Sequence, residues 1–174
     1  LNCQTKDAFS KSKAGGWRYD IVGFGMKINM ADVNAAIGLA QIRQYDTLLQ
    51  ERKRVFELYN NAFSKTDWAI TPPQKQGGRE TSYHIYALRI KSFTDDQRDA
   101  MIEEIAKKEV AVNVHFIPMP MLTFFNEMGY DINNYPQAYD NYKSEISLPI
   151  YPQLTNEQVN FVIDAVMEAY EKVK

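Results

Sequence analysis

One long stretch of helical periodicity constrains the fold of this chain more than any other feature. Apolar side chains recur every three or four residues from Val33 to Phe63, which predicts a helix over about residues 30–62. Asn29 is suited to cap its start, and Asp32 falls in the first turn, where the helix dipole favours an anion. Helices in globular proteins average about 11–12 residues. The helix predicted here is far longer than that, and such a helix in a small protein indicates an element that connects two domains.

Shorter strands and helices are predicted after the long helix. The segments YHIYALRI and VAVNVHFIP are rich in β-forming residues, and capping boxes at Thr94 and Thr155 predict two helices. In chain order the predicted elements are the long helix, a strand at 83–90, a helix from Thr94, a strand at 110–118, a loop-rich segment at 121–144, a short strand at 146–152 and a helix from Thr155. This order predicts an α+β fold, a small and mostly antiparallel sheet covered by helices.

Size and composition exclude several classes of protein. The 174 residues can form one domain with a good core, or a small domain with a piece of another. A net charge of -2 argues against a nucleic-acid partner, and no apolar run approaches the ~20 residues that cross a bilayer. The single cysteine, Cys3, excludes an internal disulfide and a metal site built on paired cysteines. We expect a cytoplasmic protein without a metal, and the opening Leu1 suggests a fragment of a longer chain.

Local motifs for catalysis are weak. Ser10 and Lys13 have the Ser-x-x-Lys spacing of some serine hydrolases, but the companion motifs are absent and a solvated charge run explains them better. Gly23 and Gly25 lack the third glycine of a dinucleotide fingerprint. His84 and His115 each lie in a predicted strand, where a histidine is more often packed than catalytic, and their spacing does not fit a metal site.

The segment at residues 23–32 is the better candidate for a binding site. Its glycines permit a close backbone approach, Lys27 supplies a cation, and the start of the long helix offers unpaired amides. This combination suits a phosphate group. The alternative is a plain helix cap beside an exposed lysine, and the residues alone favour that alternative slightly.

Five blocks of sequence resemble one known family in the correct order. WRYDIVGFGMKINMADVNAAIGLAQI resembles the signature of the DegT/DnrJ/EryC1/StrS sugar aminotransferases, and the helix that continues it has Arg52 and Tyr59 at the expected places. SYHIYALRI, VAVNVHFIP and ISLPIYPQLTNEQVNFVIDAV resemble the later blocks. The resemblance extends from about Trp17 to the C-terminus.

The resemblance implies the C-terminal small domain of a fold-type I enzyme that uses pyridoxal 5'-phosphate. Residues 1–28 would be the tail of the large cofactor domain, and residues 29–174 the small domain with its bridging helix. Family members are homodimers, in which the loop before this helix reaches the partner's cofactor phosphate. Lys27 and Asn29 match that loop. His115 matches a histidine of the sugar pocket, and His84 matches one near the domain junction.

The same resemblance implies that no catalytic residue lies in this chain, because the family block around the cofactor lysine is missing and would precede Leu1. The expected function is transfer of an amino group, from glutamate, to a nucleotide-linked keto-sugar. Two alternatives remain open. Some relatives dehydrate the sugar with a histidine in place of the lysine, and a non-catalytic module could use the same fold. Pro120 stands where many members have a second histidine, so the identity of the sugar is undetermined.

Overall fold

The computed structural model describes residues 3–4, 21–24 and 29–174. The chain divides into two compact units, Leu1–Gln44 and Tyr45–Lys174. In the first unit, β1 (Cys3–Gln4) pairs antiparallel with β2 (Ile21–Gly23), and helix α1 begins. Lys27 and the Ser10–Lys13 motif lie outside the described residues.

The long helix is confirmed. α1 spans Asp32–Phe63, so it begins in the first unit and ends in the second. Its first hydrogen bond runs from the Ala35 amide to the Ala31 carbonyl, which makes Ala31 the capping residue. The expectation that Asn29 caps the helix is therefore wrong by two positions, because the first helical residue is Asp32 and not residue 30.

The predicted apolar face of α1 is buried only in its C-terminal half. Val55, Phe56 and Tyr59 are inaccessible to solvent, whereas Val33 and Ile37 are exposed. Periodicity identifies a face that can be buried, but it does not identify what buries it.

The second unit is built on a three-stranded antiparallel sheet in the order β3-β6-β7. Its remaining elements are β3 (Ala69–Ile70), β4 (Lys75–Gln76), β5 (Arg79–Glu80), β6 (Tyr86–Ile90), α2 (Asp95–Ala106), α3 (Thr123–Glu127), α4 (Pro136–Tyr142), β7 (Glu145–Leu148) and α5 (Asn156–Val173). Short 3-10 turns precede α3 and α4, and β4 with β5 forms a separate hairpin. The α+β class is confirmed, and so are both capping boxes, at Thr94 and Thr155.

One hydrophobic core holds this unit together. Alternate residues of β6 are buried, and they join buried side chains from α1, α2, β7 and α5. The largest fully buried side chains of the core are Tyr59, Tyr83, Tyr86, Phe56, Phe63, Leu88, Ile90, Met101, Ile105 and Ile146. α2 and α5 are in contact. The predicted apolar face of α5 is buried at Val159, Val162 and Val166, and Ile163 and Tyr170 are half-buried.

The strand predicted at residues 110–118 is wrong. Only Asn113 pairs with the sheet, through an isolated antiparallel bridge to Ser147 on β7. Continuing that register would place His115 opposite Glu145, but the His115 amide donates to the Glu145 side chain instead of to its backbone. A carboxylate that captures the ladder donor ends the pairing, so the segment leaves the sheet.

Candidate functional site

His115 is held by two side chains of β7. Its ring Nδ1 lies 2.7 Å from Ser147 Oγ, and the Ser147 hydroxyl donates to Glu145 Oε1. The other carboxylate oxygen, Glu145 Oε2, accepts the His115 backbone N–H at 2.9 Å. The three residues therefore form a closed ring of hydrogen bonds, which fixes both the backbone and the imidazole of His115.

The alternation of β7 explains why these polar groups meet. Ile146 and Leu148 face the core, so Glu145 and Ser147 point to the opposite side of the sheet, where each is only 5% exposed. On β6, Arg89 lies opposite Glu145 and shares its face. Burial of the two polar residues is tolerated because each is hydrogen-bonded. His115 itself is half-buried, with the Phe116 ring edge-on at 4.6 Å.

His84 lies in a different environment. It is exposed and follows Tyr83, a buried residue with a left-handed φ of 54°. The Tyr83 hydroxyl donates to Glu80 Oε1 at 2.6 Å and accepts from Gln74 Nε2 at 3.2 Å. Burial, and then the neighbouring Glu80 carboxylate, raise the pKa of Tyr83 above its ordinary value. These contacts attach the β4–β5 hairpin beside His84, but they do not link it to His115.

Of the two residues expected at the cofactor phosphate, only Asn29 is described. Asn29 is exposed and lies three residues before α1. The first turn of α1 supplies backbone amides without partners inside the helix, and an amide side chain is also a donor, so this set fits an anion. Asp32 in the same turn is itself an anion and opposes such binding. The positions of Lys27, Asn29, His84 and His115 in a binding site stay predictions.

The segment after β7 is attached to α1 by long side chains. Tyr59 Oη donates to the Pro149 carbonyl at 2.8 Å, and Arg52 Nη1 donates to the Ile150 carbonyl at 3.1 Å. Arg54 donates to the Leu154 carbonyl. Arg52 and Tyr59, which match the family's sequence at the expected places, therefore hold the chain segment that follows β7.

Sequence reasoning missed Glu145 and Ser147. The polar–apolar alternation of Glu145, Ser147 and the core residue Ile146 was a usable signal, because it places two hydrogen-bonding side chains on one face of a strand. Nothing local showed that His115 would lie on that face.

In residues 3–4, 21–24 and 29–174, no three His, Cys, Asp or Glu side chains are grouped so as to hold a metal ion. Over the same part of the chain, no helix combines the length and the apolar character needed to span a membrane.

Comparison with known proteins decides the family. The sequence model of the DegT/DnrJ/EryC1/StrS aminotransferase family matches residues 3–167. This chain belongs to that family. The resemblance inferred from five short blocks is thus confirmed over nearly the whole sequence.

Two curated relatives and one solved structure show how much of a family member is present. The chain is 34% identical over 165 residues to the uncharacterized protein MJ1066 of Methanocaldococcus jannaschii, covering 93% of this chain and 42% of that protein. It is 31% identical over 172 residues to the spore coat polysaccharide biosynthesis protein SpsC of Bacillus subtilis, covering 97% of this chain and 44% of that protein. The chain thus spans less than half the length of these relatives.

The structural comparison agrees with the sequence comparison. The putative sugar aminotransferase Spr1654 from Streptococcus pneumoniae, in its PMP-form, superposes with a TM-score of 0.81 and 38% identity. The match covers 98% of this chain and 43% of that one. The same protein has also been solved in a PLP-form, with a TM-score of 0.80.

Proposed function

We propose that this chain is the C-terminal part of a nucleotide-sugar aminotransferase that uses pyridoxal 5'-phosphate. The match to the aminotransferase family over residues 3–167 carries the proposal, and the likeness to a putative sugar aminotransferase supports it. The amino donor is glutamate and the acceptor is a keto-sugar linked to a nucleotide. The active protein is a homodimer.

The cofactor, when bound, supplies the electron sink through which an amino group is transferred. This chain's residues bind and orient. Lys27 and Asn29 hold the cofactor phosphate of the neighbouring subunit, with an ammonium and an amide donor. His115 binds the sugar, and His84 lies near the boundary between the domains. The domain boundary itself, residues 1–28 against 29–174, is part of this proposal.

Cofactor capture tests where the reactive lysine lies. The 174-residue chain, and the protein expressed with the coding sequence that precedes it, are each incubated with pyridoxal phosphate, reduced with borohydride and mapped by mass spectrometry. We expect a modified lysine only in the longer protein, outside Leu1–Lys174, because covalent amine chemistry needs a lysine held against the cofactor. A stoichiometric, specific modification within the chain would contradict the proposal.

Amino transfer tests the reaction itself. The longer protein is supplied with 15N-glutamate and a nucleotide-linked keto-sugar, and the sugar product is analysed by mass spectrometry. Incorporation of 15N is expected. A dehydrated sugar without 15N would overturn the aminotransferase assignment in favour of a dehydratase.

Cofactor retention tests the role of Lys27. In the longer protein, Lys27→Ala should weaken cofactor binding about ten- to a hundredfold, since a hydrogen bond to a charged group contributes about 1.5–3 kcal/mol. Lys65→Ala is the matched control, because it also removes one lysine charge, at an exposed position in the loop after α1. Equal dissociation constants for the two variants would remove Lys27 from the phosphate site.

A further inference from the structure

The ring of hydrogen bonds around His115 contains one fixed donor. The His115 backbone N–H can only donate, so Glu145 Oε2, 2.9 Å away, must accept. A carboxylate has no proton to give, and its second oxygen, Oε1, therefore accepts as well. The partner of Oε1 is the Ser147 hydroxyl. The single hydroxyl proton of Ser147 is thereby directed towards Glu145.

The direction of that hydroxyl proton determines which nitrogen of the imidazole is protonated. Because Ser147 Oγ gives its proton to Glu145, it can only accept in its 2.7 Å contact with His115 Nδ1. The Nδ1 atom must then carry a proton. In a neutral imidazole only one nitrogen is protonated, so Nε2 is left with its lone pair.

We propose that Glu145 and Ser147 are positioning residues that lock His115 in the Nδ1–H tautomer. The Nε2 atom of the neutral ring is then a hydrogen-bond acceptor. It binds a donor such as a hydroxyl or an ammonium group, and it does not bind a carbonyl or phosphate oxygen. Identification of that donor as a hydroxyl group of the sugar rests on the proposed function, whereas the tautomer does not.

The same geometry excludes Ser147 as a nucleophile. A catalytic serine donates its proton to a histidine, and its hydroxyl is accessible to the substrate. Ser147 instead donates to a carboxylate, and it is only 5% exposed. The hydrogen bonds from Ser147 to Glu145 and from His115 to Ser147 instead orient the imidazole of His115. Of the three side chains, His115 is the one that is only half-buried.

Nitrogen-15 NMR of the imidazole rings tests the tautomer directly. The spectra are recorded on the 174-residue chain, whose sequence contains two histidines. His84 is therefore an exposed internal reference, and His84→Gln assigns the signals. Spectra are recorded at about pH 8.5, two pH units above the ~6.5 at which an ordinary histidine titrates. The His115 signals should show a protonated Nδ1 and a lone-pair Nε2. A protonated Nε2 on His115, or the same tautomer mixture as His84, would overturn the proposal.

Glu145→Gln makes the prediction sharper, because it should reverse the tautomer. The glutamine oxygen stays on the His115 N–H, which turns its NH2 group towards Ser147 Oγ. The hydroxyl is then free to donate to Nδ1, and the ring proton moves to Nε2. Ser147→Ala should abolish the preference, whereas Ser147→Thr, which keeps the hydroxyl, should retain it. If the amide spectrum of Glu145→Gln remains dispersed but Nδ1 stays protonated, the mechanism is wrong.

Activity separates this inference from the proposed function. In the longer protein, Glu145→Gln should lower kcat/KM for the keto-sugar about three- to tenfold and leave cofactor retention unchanged, because Nε2 would become a donor and the sugar hydroxyl would have to turn its own proton away from the ring. If the tautomer reverses but kcat/KM is unchanged, the result supports the hydrogen-bond network and shows that His115 does not bind the sugar. A wild-type ring that lacks the Nδ1–H form refutes the network whatever the activity.

Discussion

The hydroxyl group of Tyr59 offers a quantitative test of how α1 supports the site. Tyr59 is fully buried, and its Oη donates to the Pro149 carbonyl at 2.8 Å, just beyond β7. Tyr59→Phe removes this one atom and leaves the ring in place. A buried hydrogen bond contributes about 0.5–1.5 kcal/mol net. Since Pro149 is half-buried and partly reached by water, we expect a loss of about 1 kcal/mol at neutral pH.

The pH dependence of that loss is the stronger prediction. Burial, and then the charge of Tyr151, raise the pKa of Tyr59 well above its ordinary value of 10.0. The folded chain therefore keeps the phenol proton where the unfolded chain releases it. Wild-type stability must fall as the pH rises above about 10, by about 1.4 kcal/mol per pH unit for this group. Phenylalanine has no proton to release, so near pH 11 the variant should equal the wild type in stability.

Urea unfolding of both proteins from about pH 8 to pH 11 measures this difference. Lysine and other tyrosine titrations are common to both chains and largely cancel in the comparison, since the raised pKa of Tyr86 is due first to its burial and only then to Tyr59. Tyr135→Phe removes a hydroxyl from a side chain that is 43% exposed, so it is the matched control for the loss of a tyrosine hydroxyl. A Tyr59→Phe deficit that stays constant over the whole range would refute the reasoning, because it would show that the phenol titrates equally in both states.

Two further predictions concern helix contacts. Hydrogen bonds from Lys107 and then Lys172 lower the pKa of Glu104 to about 2, so its folded state favours the carboxylate. The stability that the Glu104 carboxylate contributes is present above the ordinary value of 4.5 and is lost as the pH falls towards about 2. The urea midpoints of wild type and Glu104→Gln should therefore converge in acid, and Glu103→Gln is the control for loss of an exposed carboxylate on the same helix. The Thr155 hydroxyl accepts a first-turn amide of α5 at 3.2 Å, so Thr155→Ala should cost about 1 kcal/mol in urea unfolding and Thr155→Ser much less. Equal midpoints for the last two variants would contradict the capping role.

The long helix and both capping boxes were predictable because their determinants are local. Apolar spacing along α1 and the Thr-x-x-Gln pattern at Thr94 and Thr155 specify hydrogen bonds between near neighbours. The family was predictable for a related reason, since its signature residues lie close together in sequence blocks. The strand at 110–118 failed because its outcome depended on the side chain of Glu145, 30 residues away from His115.

The sequence by itself therefore determined the α+β class, the 32-residue helix and the membership of an aminotransferase family. Only the tertiary structure decided which half of that helix is buried and which groups hold His115. Periodicity records the chemistry of each position relative to its neighbours along the chain. The hydrogen-bonded ring of His115, Ser147 and Glu145 joins two segments that are about 30 residues apart in sequence. No local sequence pattern predicts a contact between segments so far apart.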